Sequence, residues 1–423
     1  MTTAEVTGPA RATAPRTTAA RVTDARVTIA TETPPAMTPL PASRHPRFGR
    51  LLPGLGLAAV LLGSQGLAAS SPLPSAVRLL LPSEGLLAGL GDGLRRGYGL
   101  AMEQARACGL EPPGLALGWL PPGADPERAL ASLARSQLVI APPAAPVEPY
   151  GRLAEQQRLT VLLPLQRGSS LERLPLLPGS DRLWPVVPAR SLVADRLAQG
   201  LLAANRASVM VVRDRSGESR ALAERFTASL RTAGGRTTGF QEDPLAIDPS
   251  DAKALAQLRA DVDWYRPQAL VVFTRPGSAL AQALRQADWP AGLVLAWPFP
   301  LQPSQDRGAT AQLGVDPQGR GEGWTAFARR FQDRWGYRPA LVEAAGYDTG
   351  QLTALASLAP AGRPGWDLAW FRPQGRSLPL CEAIRERRSG QSVRPRGAAS
   401  RLDQTAGTPP TATLQLSSAP VQP

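Results

Sequence analysis

The chain of 423 residues contains one histidine, His45, and one lysine, Lys253. His45 lies in a segment expected to be removed on export, so the mature chain would carry no imidazole. That excludes Ser–His–Asp triads, Cys–His dyads and His-ligated metal sites together. A Ser–Lys mechanism would have to use Lys253, which sits in the polar helical stretch 251–260. Aromatic residues make up 5% of the chain, and no basic stripe interleaved with aromatics is present, which argues against a nucleic-acid surface. The formal charge of +13 comes almost wholly from arginine, beside abundant alanine, proline and glycine, the pattern of a GC-rich coding bias. Cys108 and Cys381 are the only cysteines, too few for a disulfide framework although compatible with an oxidising compartment. They could pair if the C-terminal segment folds over the first helix; free, partly buried thiols are the expectation. No cofactor is implied.

Long apolar runs are also scarce. Residues 1–36 form a Thr/Ala/Arg/Pro tract without periodicity, which reads as disordered or as an extension ahead of the true start. From Met37 the pattern becomes that of a secretory signal: Arg44, Arg47 and Arg50, an apolar run over 51–62, then small residues over 63–70. Translation from Met37 and cleavage near 68–71 are expected, which gives a periplasmic protein. The alternative is an uncleaved membrane anchor. Pro53, Gly54 and Gly56 make the run a poor transmembrane helix, and no cysteine comes after it to carry a lipid.

Beyond residue 75 the α/β signal is abundant, and it is organised around residues 76–109. The apolar run 76–81 stops at Pro82 and reads as a buried strand; 83–92 reads as a Gly-punctuated loop, and 93–108 as a helix stopped by Gly109. In open parallel sheets ligands sit beyond the strand C-termini, so Ser83, Glu84 and Gly85 are candidates for the mouth of a site. Strands are expected at 114–120, 137–141 and 159–164, with helices at 125–136 and 148–158, and 183–188 reads as an extended, Pro-bounded piece that could be a crossover. The pattern then restarts, with helices at 191–205, 218–234, 250–265 and 278–288 and strands at 208–212, 269–273 and 293–297. Two further helices are expected at 321–336 and 343–358. The arginines at 385, 387, 388, 394 and 396 read as a solvated helix end. The fold class is therefore α/β, with two Rossmann-like lobes built on parallel sheets.

Several phrases in this order are familiar. Leu81-Pro82-Ser83-Glu84-Gly85, Val139-Ile140-Ala141-Pro142, residues 213–223, and Phe331 to Gly336 followed by Pro339, Gly346, Tyr347 and Asp348 together resemble the type I periplasmic solute-binding proteins. The likeness is to the branched-chain amino-acid-binding branch of the ABC importers and spans roughly residues 75–400. It implies two lobes joined by hinge crossovers: residues 75–187 with about 318–365, and 188–317 with about 366–403. Residues 404–423 are expected to form a disordered tail. It also implies a small-molecule solute, a membrane ABC permease as partner, and a monomer.

The amino-acid clasp is altered. Ala144 and Ala145 replace the family's hydroxyl residue, Arg167 (near Ser169 and Ser170) takes the place of a threonine, and Ser216 that of a tyrosine. With Asp214 and Trp297, which end second-lobe strands, these complete the candidate ligand residues. An arginine at 167 suits an anion, although it could equally point to solvent. Trp119 and Trp324 are explained as well by packing. A second reading keeps the fold but drops transport, as in the penicillin-binding-protein activators, whose partner is a murein synthase. A third, a nucleotide-dependent enzyme, draws on Gly89-Leu90-Gly91-Asp92-Gly93, but Leu94 stands where the third fingerprint glycine belongs and the loop is too long.

Overall fold

The computed structural model describes residues 77–121, 123–131, 137–239, 244–301, 310–360, 362 and 364–419. The expected N-terminal tract and export signal lie outside them.

In the first lobe, β1 (Val77–Pro82), α1 (Leu86–Ala107), β2 (Leu115–Leu120), α2 (Pro126–Ala131), β3 (Leu138–Ile140), α3 (Glu148–Gln157), β4 (Thr160–Leu163) and β5 (Leu183–Pro185) succeed one another. The five strands are parallel and ordered β2-β1-β3-β4-β5. The central strands are apolar throughout because both faces are covered. On β1, Leu79 and Leu81 face one buried cluster and Leu80 the other. Each such leucine contributes roughly 1.5–3 kcal/mol of burial.

The second lobe repeats the scheme. It comprises α4 (Ser191–Ala203), β6 (Ser208–Arg213), α5 (Gly217–Thr232), β7 (Arg236–Thr237), β8 (Leu245–Ala246), α6 (Ala252–Tyr265), β9 (Ala269–Phe273), α7 (Ala279–Gln286), β10 (Val294–Trp297) and β11 (Ala311–Val315). Its strands run β7-β6-β9-β10-β11, so both sheets reverse their winding at the equivalent place, β1/β3 and β6/β9. Ser216, Asp251 and Ser278 accept hydrogen bonds from the first-turn amides of α5, α6 and α7, which fixes where those helices begin.

The chain then returns to the first lobe with α8 (Trp324–Trp335) and α9 (Leu341–Ala356). It continues through β12 (Ser377–Leu378), α10 (Leu380–Arg388) and β13 (Arg394–Pro395), and ends on β14 (Leu416–Ala419). Three findings depart from the sequence reading here. Trp366, Trp370, Ile384 and Leu402 pack into the first lobe's core, so 366–402 belongs there rather than to the second lobe. The expected tail contains β14, which adds antiparallel to the edge of β11 and closes the second sheet. Two members of the arginine cluster are structural: Arg387 is buried beneath Trp370, and Arg394 donates to the carbonyls of Gly375 and Arg401, whereas Arg385, Arg388 and Arg396 are exposed as expected.

The glycines of residues 89–93 are the fourth departure. They lie inside α1, which begins at Leu86, leaving only 83–85 as loop. Gly89 faces open space, whereas Gly93 packs closely on α9, where a Cβ would meet Val342 Cγ1 at 2.9 Å, and the contact tightens farther along the helix. A methyl group on Gly97 would meet the Glu343 carbonyl oxygen at 1.9 Å, and one on Gly346 would meet that of Leu94 at 2.1 Å. The backbones of α1 and α9 therefore cross in contact. The expectation of free thiols also fails: Cys108, at the end of α1, is bonded to Cys381 on α10, with Cα atoms 5.1 Å apart. The return of α10 onto the first lobe brings them together.

Candidate functional site

Three crossings join the lobes: one between β5 and α4, one after β11, and one between β13 and β14. They meet at Gly319, where a Cβ would lie 2.7 Å from the Ala412 methyl and 2.9 Å from the Pro188 ring. Backbone amides of Gly321 and Gly323 donate to the carbonyls of Ala398 and Gly397 at 2.8 and 2.7 Å, tying the second crossing to the third.

Two charged side chains hold this hinge. Arg167, in the loop after β4, donates from Nε to the Pro188 carbonyl at 3.1 Å and from Nη2 to the Pro317 carbonyl at 2.7 Å. It thus bonds the first two crossings at once. Burial, then the nearby charge of Arg190, pulls its pKa down to about 10 against the opposing effect of Asp316. Asp348, wholly buried on α9, holds the third crossing by accepting from the amides of Ala398, Ala399 and Ser400 at 2.6, 2.9 and 3.3 Å. Burial raises its pKa to about 7 although those amides stabilise the carboxylate.

Beside the hinge a cleft of 810 Å³ lies at the C-terminal ends of both sheets. The first lobe lines it with Leu90, Ala144, Ala145, Gln166, Arg167, Ser170 and Val342, and the second with Arg190, Glu218 and Arg275. Ala144 adopts φ 57°, the left-handed turn that swings the loop after β3 onto the cleft wall. Gln166 is buried and donates to the Pro142 carbonyl at 2.8 Å, which fixes that loop to the next. Glu218 sits 3.4 Å from the Arg190 guanidinium.

The cleft brings together three sequence candidates, Ala144, Ala145 and Arg167. Arg167 does not point to solvent: its Nε and Nη2 each donate to a hinge carbonyl, while the guanidinium still lines the cleft. Ser169 opens the short helical turn 169–176 next in the chain. The remaining candidates are placed elsewhere. Ser83, Glu84 and Gly85 are exposed and do not line the cleft, because α1 starts too early to leave a long loop there. Asp214 accepts from the Ser216 amide at 2.9 Å and the Thr274 hydroxyl at 2.8 Å, and Ser216 caps α5; both serve the second lobe's own loops. Trp297 is fully buried, stacked on Phe299 and donating to Gln312 at 2.8 Å, so it belongs to the core and not to the cleft.

Missed at the sequence level were Gln166, Arg190, Glu218 and Arg275. Gln166, Arg190 and Arg275 carried a signal, as residues beyond the ends of β4, β5 and β9. Among the described residues no helix is long and apolar enough to cross a membrane, and no group of His, Cys, Asp and Glu is arranged to hold a metal.

The fold is that of the type I periplasmic binding proteins. An ABC transporter substrate-binding protein from Desulfitobacterium hafniense superposes with a TM-score of 0.54 at 17% identity, covering 73% of this chain and 88% of the other. A branched-chain amino acid ABC transporter periplasmic ligand-binding protein from Burkholderia xenovorans gives 0.52 at 14%, covering 69% and 80%. A solute-binding protein from R. palustris, solved in complex with benzoate, gives 0.51 at 16%, covering 81% and 92%. No protein-family model and no curated protein matches the sequence.

Proposed function

We propose that the chain is the periplasmic solute-binding subunit of an ABC importer, taking a small polar or anionic solute between its lobes and presenting it to a membrane permease. The observation that carries the reading is the cleft itself. It sits at the C-terminal end of both parallel sheets, is walled by both lobes, and abuts the crossings about which the lobes would close. The neighbours named above, described as ABC transporter solute-binding proteins, support it.

Closing on a solute requires that it touch both walls, since only differential contact with the closed form shifts the equilibrium. Arg190, Glu218 and Arg275 on one side and Ser170 on the other are the polar groups placed to make that contact. Thermal unfolding of the full chain against a panel of amino acids and carboxylates tests the reading. A solute present at about 100 times its Kd adds about 2.7 kcal/mol and raises the melting temperature by several degrees. A panel with no stabiliser, together with capture of a murein synthase in place of a permease, would overturn it in favour of an envelope regulator.

A further inference from the structure

The balance of charge in the cleft restricts what it can hold. Three guanidinium groups, Arg167, Arg190 and Arg275, line it against one carboxylate, Glu218. Glu218 is already engaged, 3.4 Å from Arg190. Asp214, which accepts from Ser216 and Thr274, and Asp316, which follows β11, also lie near this end of the second sheet, but neither lines the cleft. A zwitterionic amino acid needs an anionic partner for its ammonium, and the only carboxylate in the lining is the one paired with Arg190.

The two remaining cations come from opposite walls. Arg167 lies in the loop after β4 at the hinge, partly buried, bound only to neutral carbonyls and forming no carboxylate pair among the described residues. A guanidinium in that position keeps part of its demand for a counter-charge, because two carbonyl dipoles do not neutralise it and Asp316 acts on it without forming an ion pair. Arg275 lies just beyond β9 on the second lobe and is exposed at the cleft, likewise without an ion pair among the described residues. Between these poles Leu90, Leu165, Leu341 and Val342 give the wall apolar character. The N-terminus of the 16-residue α9 opens there too, but its first-turn Glu343 accepts from the Ala340 amide at 2.8 Å, so that helix end supplies no free positive pole.

We propose that the cleft selects a small dicarboxylate: one carboxylate directed to Arg167, the other to Arg275, with a short hydrocarbon spacer against the leucine and valine side chains. Bridging cations on opposite lobes would couple binding to closure. The proposal rests on the cleft being a solute site.

Isothermal titration of the full chain with glutarate, phthalate, butyrate, benzoate and L-leucine, at low and at high salt, tests it, with Arg275→Gln as the variant. Glutarate or phthalate should bind at least about tenfold more tightly than its monocarboxylate counterpart, because each added charge-assisted contact is of that order. The preference should shrink in high salt and disappear in Arg275→Gln. Circular dichroism of Arg275→Gln should match the parent, the residue being an exposed loop side chain. Equal or tighter binding of butyrate, benzoate or L-leucine would overturn the dicarboxylate assignment and leave the solute-binding reading standing. Failure of every solute to bind would overturn both.

Discussion

The crossing of α1 and α9 offers a sharp test of how the glycine-rich stretch is used. Gly97→Ala places a methyl 1.9 Å from the Glu343 carbonyl oxygen and 2.9 Å from the Tyr347 amide nitrogen, both backbone atoms of the partner helix. Ordinary contact requires more than an ångström of separation between two helices that the sheet and the Cys108–Cys381 bond already hold. Overpacking of this kind costs roughly 1–3 kcal/mol or more. The intrinsic helix preference of alanine over glycine returns about 1 kcal/mol. A net loss of about 1–2 kcal/mol is expected, read as a lower urea midpoint at unchanged slope. Gly89→Ala, in the same helix, is the control: nothing lies within 4 Å of its Cβ, so only the propensity gain applies and stability should rise by about 0.5–1 kcal/mol. The same substitution should thus have opposite signs at two positions of one helix. If Gly97→Ala is as stable as the parent, or if Gly89→Ala destabilises, the helix pair does not cross as described and 83–92 is the loop that the sequence pattern implies.

The hinge and the disulfide give three further expected outcomes. Cys381→Ser should cost about 2–5 kcal/mol, since the bond spans 273 residues and constrains the unfolded chain; a melting temperature indifferent to reductant would contradict the bond. Arg167→Lys cannot bond both Pro188 and Pro317 and should lose about 1–3 kcal/mol of unfolding free energy, with equal stability of the two chains as the contrary result. Asp348 has a folded pKa of about 7 against 3.8 for an unperturbed aspartate, so between those values the native state binds more protons than the unfolded state. Its contribution to stability is therefore greatest below the lower value and falls as pH rises to about 7, by on the order of 4 kcal/mol. Asp348→Asn should remove that component from the pH dependence of the urea midpoint; superimposable profiles of the two chains would contradict it.

The strands and most of the helices were legible because buried parallel strands are apolar runs and the covering helices carry a clear period and caps. Val77–Pro82, Ala269–Phe273 and the Ser216 and Ser278 caps all signal locally. The glycines of α1 misled because glycine signals both turns and close helix contact, and only the partner helix, distant in the sequence, tells which. β14 was missed for a related reason: Leu416–Ala419 is too short and polar to read as a strand and becomes one only through its pairing with β11. The site was less legible than the fold. Ala144, Ala145 and Arg167 lie just past strand ends and could be placed, whereas Trp297 also ends a strand but points into its own lobe. Which face a strand-end residue presents depends on the sheet's neighbours, and those long-range contacts leave no local mark.

Transport by such a protein depends on two lobes closing on a solute held between them. Small-angle X-ray scattering of the full chain with and without a solute that stabilises it measures this directly. A decrease in radius of gyration on saturation, with an ordinary single-site titration, is the expected result. A solute that binds and stabilises while leaving the scattering profile unchanged would contradict closure about the Gly319 hinge.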